Sequence, residues 1–156
     1  MRTQLISMME YTVSDKSFVL DDYSSGSRAV YCAVNNDKKS FCYYEPDKPP
    51  GAEPRCDFLL VCLSDHIVRF IELKAILKDY GGCCGNTWAH AFHQLFATYY
   101  AYYGFIDHEK DIVKMILCTS MVKRSRAKLE HYRYYKKIRE CNITPQILYA
   151  DQEDVV

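Results

Sequence analysis

The stretch Pro54-Arg55-Cys56-Asp57-Phe58-Leu59-Leu60-Val61-Cys62-Leu63-Ser64-Asp65-His66-Ile67-Val68-Arg69-Phe70-Ile71-Glu72-Leu73-Lys74 decides how the chain is read. Two apolar runs, Phe58 to Leu63 and Ile67 to Leu73, flank a polar break, which is the pattern of a β-hairpin. With a two- or four-residue loop, Cys62 falls level with Ile67 and, by continuation, Asp57 falls level with Glu72. Directly paired residues share a face with Cβ atoms roughly 5 Å apart, and Glu72 and Lys74 share a face because strand side chains alternate. Two carboxylates and one ammonium then meet at the end of an otherwise apolar hairpin. Ser-Asp is not a preferred two-residue turn, and a slip of one residue would turn Asp57 away from Glu72. Leu59, Val61, Val68 and Phe70 line one face, and Phe58, Leu60, Cys62, Ile71 and Leu73 the other. Strands apolar on both faces are central strands covered by further layers. Charges at the end of such strands are costly unless paired or bound to something. Paired carboxylates suit Mg²⁺, and a lysine beside them can hold or help deprotonate a water. The spacing by itself fits equally a strand-end salt bridge from Glu72 to Lys74, with Asp57 a turn residue.

Asp57, fourteen residues, and then Glu72-Leu73-Lys74 resembles the signature of the PD-(D/E)XK nuclease superfamily. With the helix and strand that follow, the resemblance covers roughly positions 54 to 118. It implies that Asp57 and Glu72 bind Mg²⁺ or Mn²⁺, that Lys74 assists the attacking water, and that the substrate is a phosphodiester, in DNA for most of the family. It also implies an α/β fold, a restriction-endonuclease-like sandwich with a central mixed sheet flanked by helices. The proline stands three residues before Asp57 instead of next to it. A literal Pro46-Asp47 lies in Pro46-Asp47-Lys48-Pro49-Pro50-Gly51, too turn-rich to begin a central strand, so Asp57 is the expected ligand. Family helices after Glu-x-Lys often offer a polar residue to the site, and RecB-like members follow a glutamine with a tyrosine four positions on. Gln94 matches the first; Thr98 holds the second place and Tyr99 comes one later. Some members add a first-helix glutamate, for which Glu10 is the candidate; a solvated Glu10 is the alternative.

Length and composition bound the rest. A chain of 156 residues is long enough for one real core, so a single nuclease-like domain over 1–156 is expected. Hydrophobic content of 49% and charged content of 26% are ordinary for a globular protein. Formal net charge is zero, so attraction to nucleic acid has to come from a local patch. The chain shows no signal peptide and no apolar run able to cross a membrane, and a cytoplasmic location is expected. Eight cysteines include no Cys-x-x-Cys pair, so reduced thiols are expected and a structural zinc site is not. Cys83-Cys84 between glycines suits a loop, with redox chemistry as the alternative.

Residues 1 to 12 suit a short helix, and Ser17 to Leu20 a strand. Arg28 to Val34 and Ser40 to Tyr44 read as strands joined across Asn35-Asn36-Asp37-Lys38 as a hairpin. Glu45 to Arg55 carries four of the five prolines and reads as a loop leading into Asp57. No phosphate-binding glycine fingerprint occurs at Gly81 to Gly85. Asn86 suits a helix N-cap, after which Trp88, Phe92, Leu95, Phe96, Tyr99 and Tyr103 give an apolar face and His90, Gln94 and Thr98 a polar ladder. His90 can serve the site as a helper, while His93 is a surface or packing residue. Ile112 to Cys118 is a strand. Met121 to Cys141 reads as a helix holding Lys123, Arg124, Arg126, Lys128, Arg133, Lys136, Lys137 and Arg139 against Glu130 and Glu140. That concentration of positive charge in a neutral chain marks a phosphate-backbone patch. Ile147 to Ala150 suits a last strand, and Asp151, Glu153 and Asp154 an acidic tail.

Two functions follow. The first is a Mg²⁺- or Mn²⁺-dependent nuclease with catalytic Asp57, Glu72, Lys74 and Gln94, metal on Asp57 and Glu72, and DNA as partner. The second is an inactive nuclease-fold protein that binds a partner or itself, as a homodimer or larger assembly, through Tyr99, Tyr100, Tyr102, Tyr103 and Phe105.

Overall fold

The structure is a computed structural model that describes residues 2–22, 29–48, 54–75, 83–120 and 143–156, with the backbone alone for 2–4 and 83–89. The expected basic helix 121–141, and with it Lys123, Arg124, Arg126, Lys128, Arg133, Lys136 and Lys137, lies outside the described residues.

The order is α1 (Arg2–Ser7), β1 (Tyr11–Val13), β2 (Ser17–Leu20), β3 (Tyr31–Val34), β4 (Phe41–Tyr44), β5 (Phe58–Cys62), β6 (Ile67–Lys74), α2 (Cys83–Ala101), a 3-10 turn (Tyr103–Phe105), β7 (Ile112–Thr119), β8 (Gln146–Leu148) and β9 (Asp154–Val155). The hairpin forms in the register that the sequence implied: Phe58 opposes Ile71 and Val61 opposes Val68. Its loop is the longer alternative, closed where the Asp65 carboxylate accepts the Ile67 N–H at 2.9 Å. Around this pair grows a six-stranded sheet in the order β1-β4-β5-β6-β7-β8. Its first four strands are antiparallel, whereas β6, β7 and β8 run parallel, so the fold is α/β with a mixed sheet.

Every residue of β5 is buried, as apolarity on both faces requires. One face holds Leu59, Val61, Val68 and Phe70 against Phe92, Leu95, Phe96 and Tyr99 of α2, with Leu5 of α1 joining them. The other face holds Phe58, Leu60, Ile71 and Leu73 against Phe18, Leu20, Tyr31 and Ala33. Those last four belong to a second, three-stranded sheet, β2-β3-β9. Among the described residues, then, a helix covers one face of the central sheet and a small sheet covers the other.

Three local expectations fail for physical reasons. First, β3 and β4 form no hairpin, because they pair in different sheets. The crossing between layers is organised by Asn35, fully buried, whose amide donates to the Asp15 and Lys39 carbonyls and accepts the Lys39 N–H, each at 2.9 Å. Lys38 adopts a positive φ of 50° in this connection. Second, α2 begins at Cys83, so Asn86 lies inside the helix and Cys83-Cys84 in its first turn; a cap preference of about 1 kcal/mol is readily overridden. Third, the acidic tail is part of the fold. Residues 154–155 pair in parallel with β3, and Asp154 is buried.

Asp154 is drawn in by charge. Its Oδ2 accepts from Arg69 Nε at 3.2 Å and from the Tyr31 hydroxyl at 2.6 Å, between the two sheets. Arg69 is 1% exposed, and its guanidinium lies 5.8 Å from the Phe41 ring centre. Burial and the neighbouring carboxylate hold the Tyr31 hydroxyl far above its ordinary range, in keeping with its donating to Asp154. Five described cysteines, Cys32, Cys42, Cys56, Cys62 and Cys118, carry free thiols. No described helix is long and apolar enough to cross a membrane.

Removing one partner of a buried ion pair leaves an uncompensated charge, which costs roughly 3–5 kcal/mol. Asp154→Ala is therefore expected to lower the unfolding free energy from urea titration by that amount, and the double change Asp154→Leu with Arg69→Met to recover most of it. A double variant no more stable than Asp154→Ala would show that the pair is not what seats β9.

Candidate functional site

β6 ends in Glu72-Leu73-Lys74, and alternation turns Glu72 and Lys74 to the face that α2 covers. There the Lys74 ammonium lies 3.1 Å from Glu72 Oε1 and donates to Gln94 Oε1 of α2 at 2.8 Å. Gln94 in turn donates from Nε2 to the Arg55 carbonyl at 3.1 Å, just before Asp57. Asp57 precedes β5, where its Oδ2 accepts the Leu73 N–H at 2.7 Å. The four residues expected to share a site therefore do meet, at one end of the hairpin and beneath α2.

Thr98 is the part whose contribution the sequence showed only as a place in the ladder. Fully buried, its hydroxyl accepts the Cys56 N–H at 2.8 Å and donates to the Gln94 carbonyl at 2.7 Å. It ties the segment before Asp57 to the helix that carries Gln94, a job the family's tyrosine place did not suggest. His90 is exposed, and partial desolvation, the Lys74 ammonium and His93 hold its imidazole below the ordinary value. Glu10 is exposed beyond the end of α1, where its N–H donates to the Tyr43 carbonyl. Of the tyrosine cluster, Tyr99 is buried, Tyr102 and Phe105 pack on the core, and Tyr100 and Tyr103 are about half exposed.

Two acids were missed. Carboxylate oxygens of Asp22, Asp47 and Asp57 all lie within 4.8 Å of one another. Asp47 belongs to the Pro46-Asp47 dipeptide, set aside because its loop is turn-rich, yet its carboxylate lies beside that of Asp57. Nothing in the sequence singles out Asp22, which follows β2 at the end of the second sheet. Lys48 Nζ, 3.1 Å from Asp22 Oδ1, offsets part of this negative charge.

The electrostatics follow from burial. Desolvation lifts the Asp57 carboxyl from 3.8 to about 7, with Asp47 and Asp22 pushing the same way and the Leu73 N–H and Lys74 opposing. Desolvation, then Asp57, lifts Glu72 from 4.5 to about 9 although Lys74 opposes. Asp47 is raised by burial and by Asp22. Glu72 Oε2 and Asp47 Oδ1 are buried and accept no hydrogen bond among the described residues. Buried unpaired acceptors cost roughly 1–3 kcal/mol each, so a set of crowded carboxyls with open oxygens has a deficit that a hard divalent cation would remove. Asp22, Asp47 and Asp57, whose carboxylate oxygens converge, could together hold a metal ion.

A pH dependence follows. Asp57 and Glu72 hold protons in the metal-free fold that the unfolded chain gives up near 3.8 and 4.5, so their contribution to stability falls as pH rises through about 7 and about 9. Glu72→Gln is expected to make the metal-free protein more stable than the parent at pH 9, by roughly 1–3 kcal/mol, and to match it near pH 5. Mn²⁺ added at pH 7 is expected to release protons, readable by titration in weak buffer. Equal melting curves of parent and Glu72→Gln at pH 9, with no proton release, would show that these acids are already ionised.

No family model, no curated protein and no solved structure matches this chain.

Proposed function

We propose that the chain is a metal-dependent nuclease of PD-(D/E)XK type, with a restriction-endonuclease-like single domain, that hydrolyses phosphodiester bonds in DNA. The observation that carries this is the convergence of Asp57, Glu72, Lys74 and Gln94, with the Lys74 ammonium held between Glu72 and Gln94 at 3.1 and 2.8 Å. A strand-end salt bridge needs only the first contact. The second, from a helix, and the Gln94 link back to the segment before Asp57, fix where the ammonium sits relative to the acid cluster.

Asp57 and Glu72 would hold the metal, and Asp22 and Asp47 stand close enough to Asp57 to share in it. When bound, the metal supplies polarisation of the phosphate and a lowered pKa for a coordinated water. Lys74 carries three donor hydrogens, of which Glu72 and Gln94 take two. The third has no partner among the described residues and would hold a water or a phosphate oxygen. Gln94 acts by aiming that ammonium, and Thr98 by setting Gln94 and Cys56 at a common distance. The basic segment 121–141 would contact the phosphate backbone.

The roles separate experimentally. Lys74→Ala is expected to keep Mn²⁺ binding while single-turnover DNA cleavage falls by roughly 10² to 10⁴. Asp57→Ala is expected to lose metal binding and cleavage together, and EDTA to abolish cleavage by the parent. A Lys74→Ala protein that cuts at the parental rate, or cleavage indifferent to EDTA, would reduce Glu72-Leu73-Lys74 to a salt bridge.

Thr98 offers a finer check. Thr98→Val removes the hydroxyl at nearly constant volume, and Thr98→Ser keeps it. Val is expected to lower the cleavage rate about tenfold or more with Mn²⁺ affinity little changed, whereas Ser restores it. Equal rates for both would confine Thr98 to packing.

A further inference from the structure

On the side of the central sheet away from α2 lies a cavity of about 310 Å³. Its wall is aromatic: Tyr11 and Tyr43 stack with ring centres 4.9 Å apart and planes 22° apart, and Phe58 meets Tyr43 edge-on at 5.9 Å. Leu20 lines it from the second sheet. Two carboxylates, Asp21 and Glu45, complete it. Asp21 Oδ1 is buried and accepts no hydrogen bond among the described residues.

The cavity is joined to the acid cluster by the chain itself. Asp21 adjoins Asp22, Glu45 stands two residues before Asp47, and Phe58 follows Asp57. Each of the three clustered acids thus has a near neighbour in the cavity wall. Because consecutive Cα atoms are about 3.8 Å apart, the cavity opens within roughly one nucleotide's reach of the cluster.

We infer that this cavity is a subsite for an unstacked nucleobase bearing an exocyclic amino group, beside the phosphodiester site. The inference rests on the nuclease reading for why a nucleotide comes there, and on the cavity for which base it takes. Aromatic side chains offer a stacking platform to any base. Carboxylate oxygens offer only acceptors, and so select a donor edge, as when Asp or Glu accepts from cytosine N4. Guanine presents two adjacent donors, N1–H and N2–H₂, for acceptors contributed separately by Asp21 and Glu45. Thymine and uracil present a single N–H between two carbonyls, whose lone pairs would face the acid. Guanine is therefore expected to bind best, cytosine and adenine less well, and thymine least.

The test needs neither metal nor cleavage. Saturation-transfer NMR of the whole chain in EDTA, with deoxyguanosine, deoxycytidine, thymidine and tetramethylammonium as probes, reads the subsite directly. Deoxyguanosine is expected to bind with a dissociation constant on the order of millimolar, several-fold tighter than thymidine. Asp21→Asn, nearly isosteric, is expected to weaken deoxyguanosine about tenfold and to erase the preference over thymidine, because it replaces a charged acceptor. Tyr11→Ala, at a residue 45% exposed and so tolerant of change, is expected to weaken all nucleosides alike. Thymidine binding as well as deoxyguanosine, or Asp21→Asn without effect, would overturn the inference. Tetramethylammonium binding more tightly than any nucleoside would overturn it in favour of a cation cage. A protein that cuts DNA but binds no nucleoside loses the subsite and keeps the nuclease; one that binds deoxyguanosine but never cuts keeps the subsite and loses the nuclease.

Discussion

The pairing of Phe58 with Ile71 is the constraint on which the molecule depends. It sorts the hairpin's side chains between two cores, one under α2 and one under the small sheet. The same register brings Asp57 to the end of β6, where its carboxylate caps the Leu73 N–H, and leaves Glu72 and Lys74 on the helix side. Moved by one residue, every leucine and valine would change core, and the acids would part. Packing and chemistry are therefore fixed by one choice of hydrogen bonds, and the apolar residues enforce the geometry of the charged ones.

This is also why so much was legible in the sequence. Unbroken apolarity on both faces of 58–62, continued by most of 67–73, reports a central pair, and a central pair with charges at one end marks a candidate site. The 3.6-residue recurrence of Phe92, Leu95, Phe96 and Tyr99 reports the helix that covers it, and Gln94 falls beside that stripe. What was not legible needed partners distant in sequence. Asp22 and Asp47 sit in loops whose paths are set by the meeting of two sheets, and no local period marks them. The division of β3 and β4 between sheets, and the burial of Asp154, likewise depend on which strand edge is still open when the layers assemble. Turn propensity around Asn35 correctly marked a change of direction but carried no information on which layer the chain enters next.

The site stores electrostatic tension. Asp22, Asp47, Asp57 and Glu72 crowd where water is scarce, and Lys74 and Lys48 together compensate only part of their charge. Protonation relieves the crowding without cation, and a divalent ion would relieve it without protons. The Leu73 N–H leans toward the ionised form of Asp57, whereas Gln94 and Thr98 fix the positions of their neighbours.

The buried contact of Asp154 with Tyr31 and Arg69 has a kinetic side. The partners are separated by 123 and 85 residues, so the bond closes one of the longest loops in the fold. Domains form as the chain emerges, N-terminal parts first, and long-range contacts are late and slow. Until residues 154–155 arrive, the β3 edge stays open and the Arg69 guanidinium has no carboxylate to enter the interior with. The two sheets cannot close dry on each other before then. A chaperone that delays that closure would find its handle on the newly made protein in the open edge of β3.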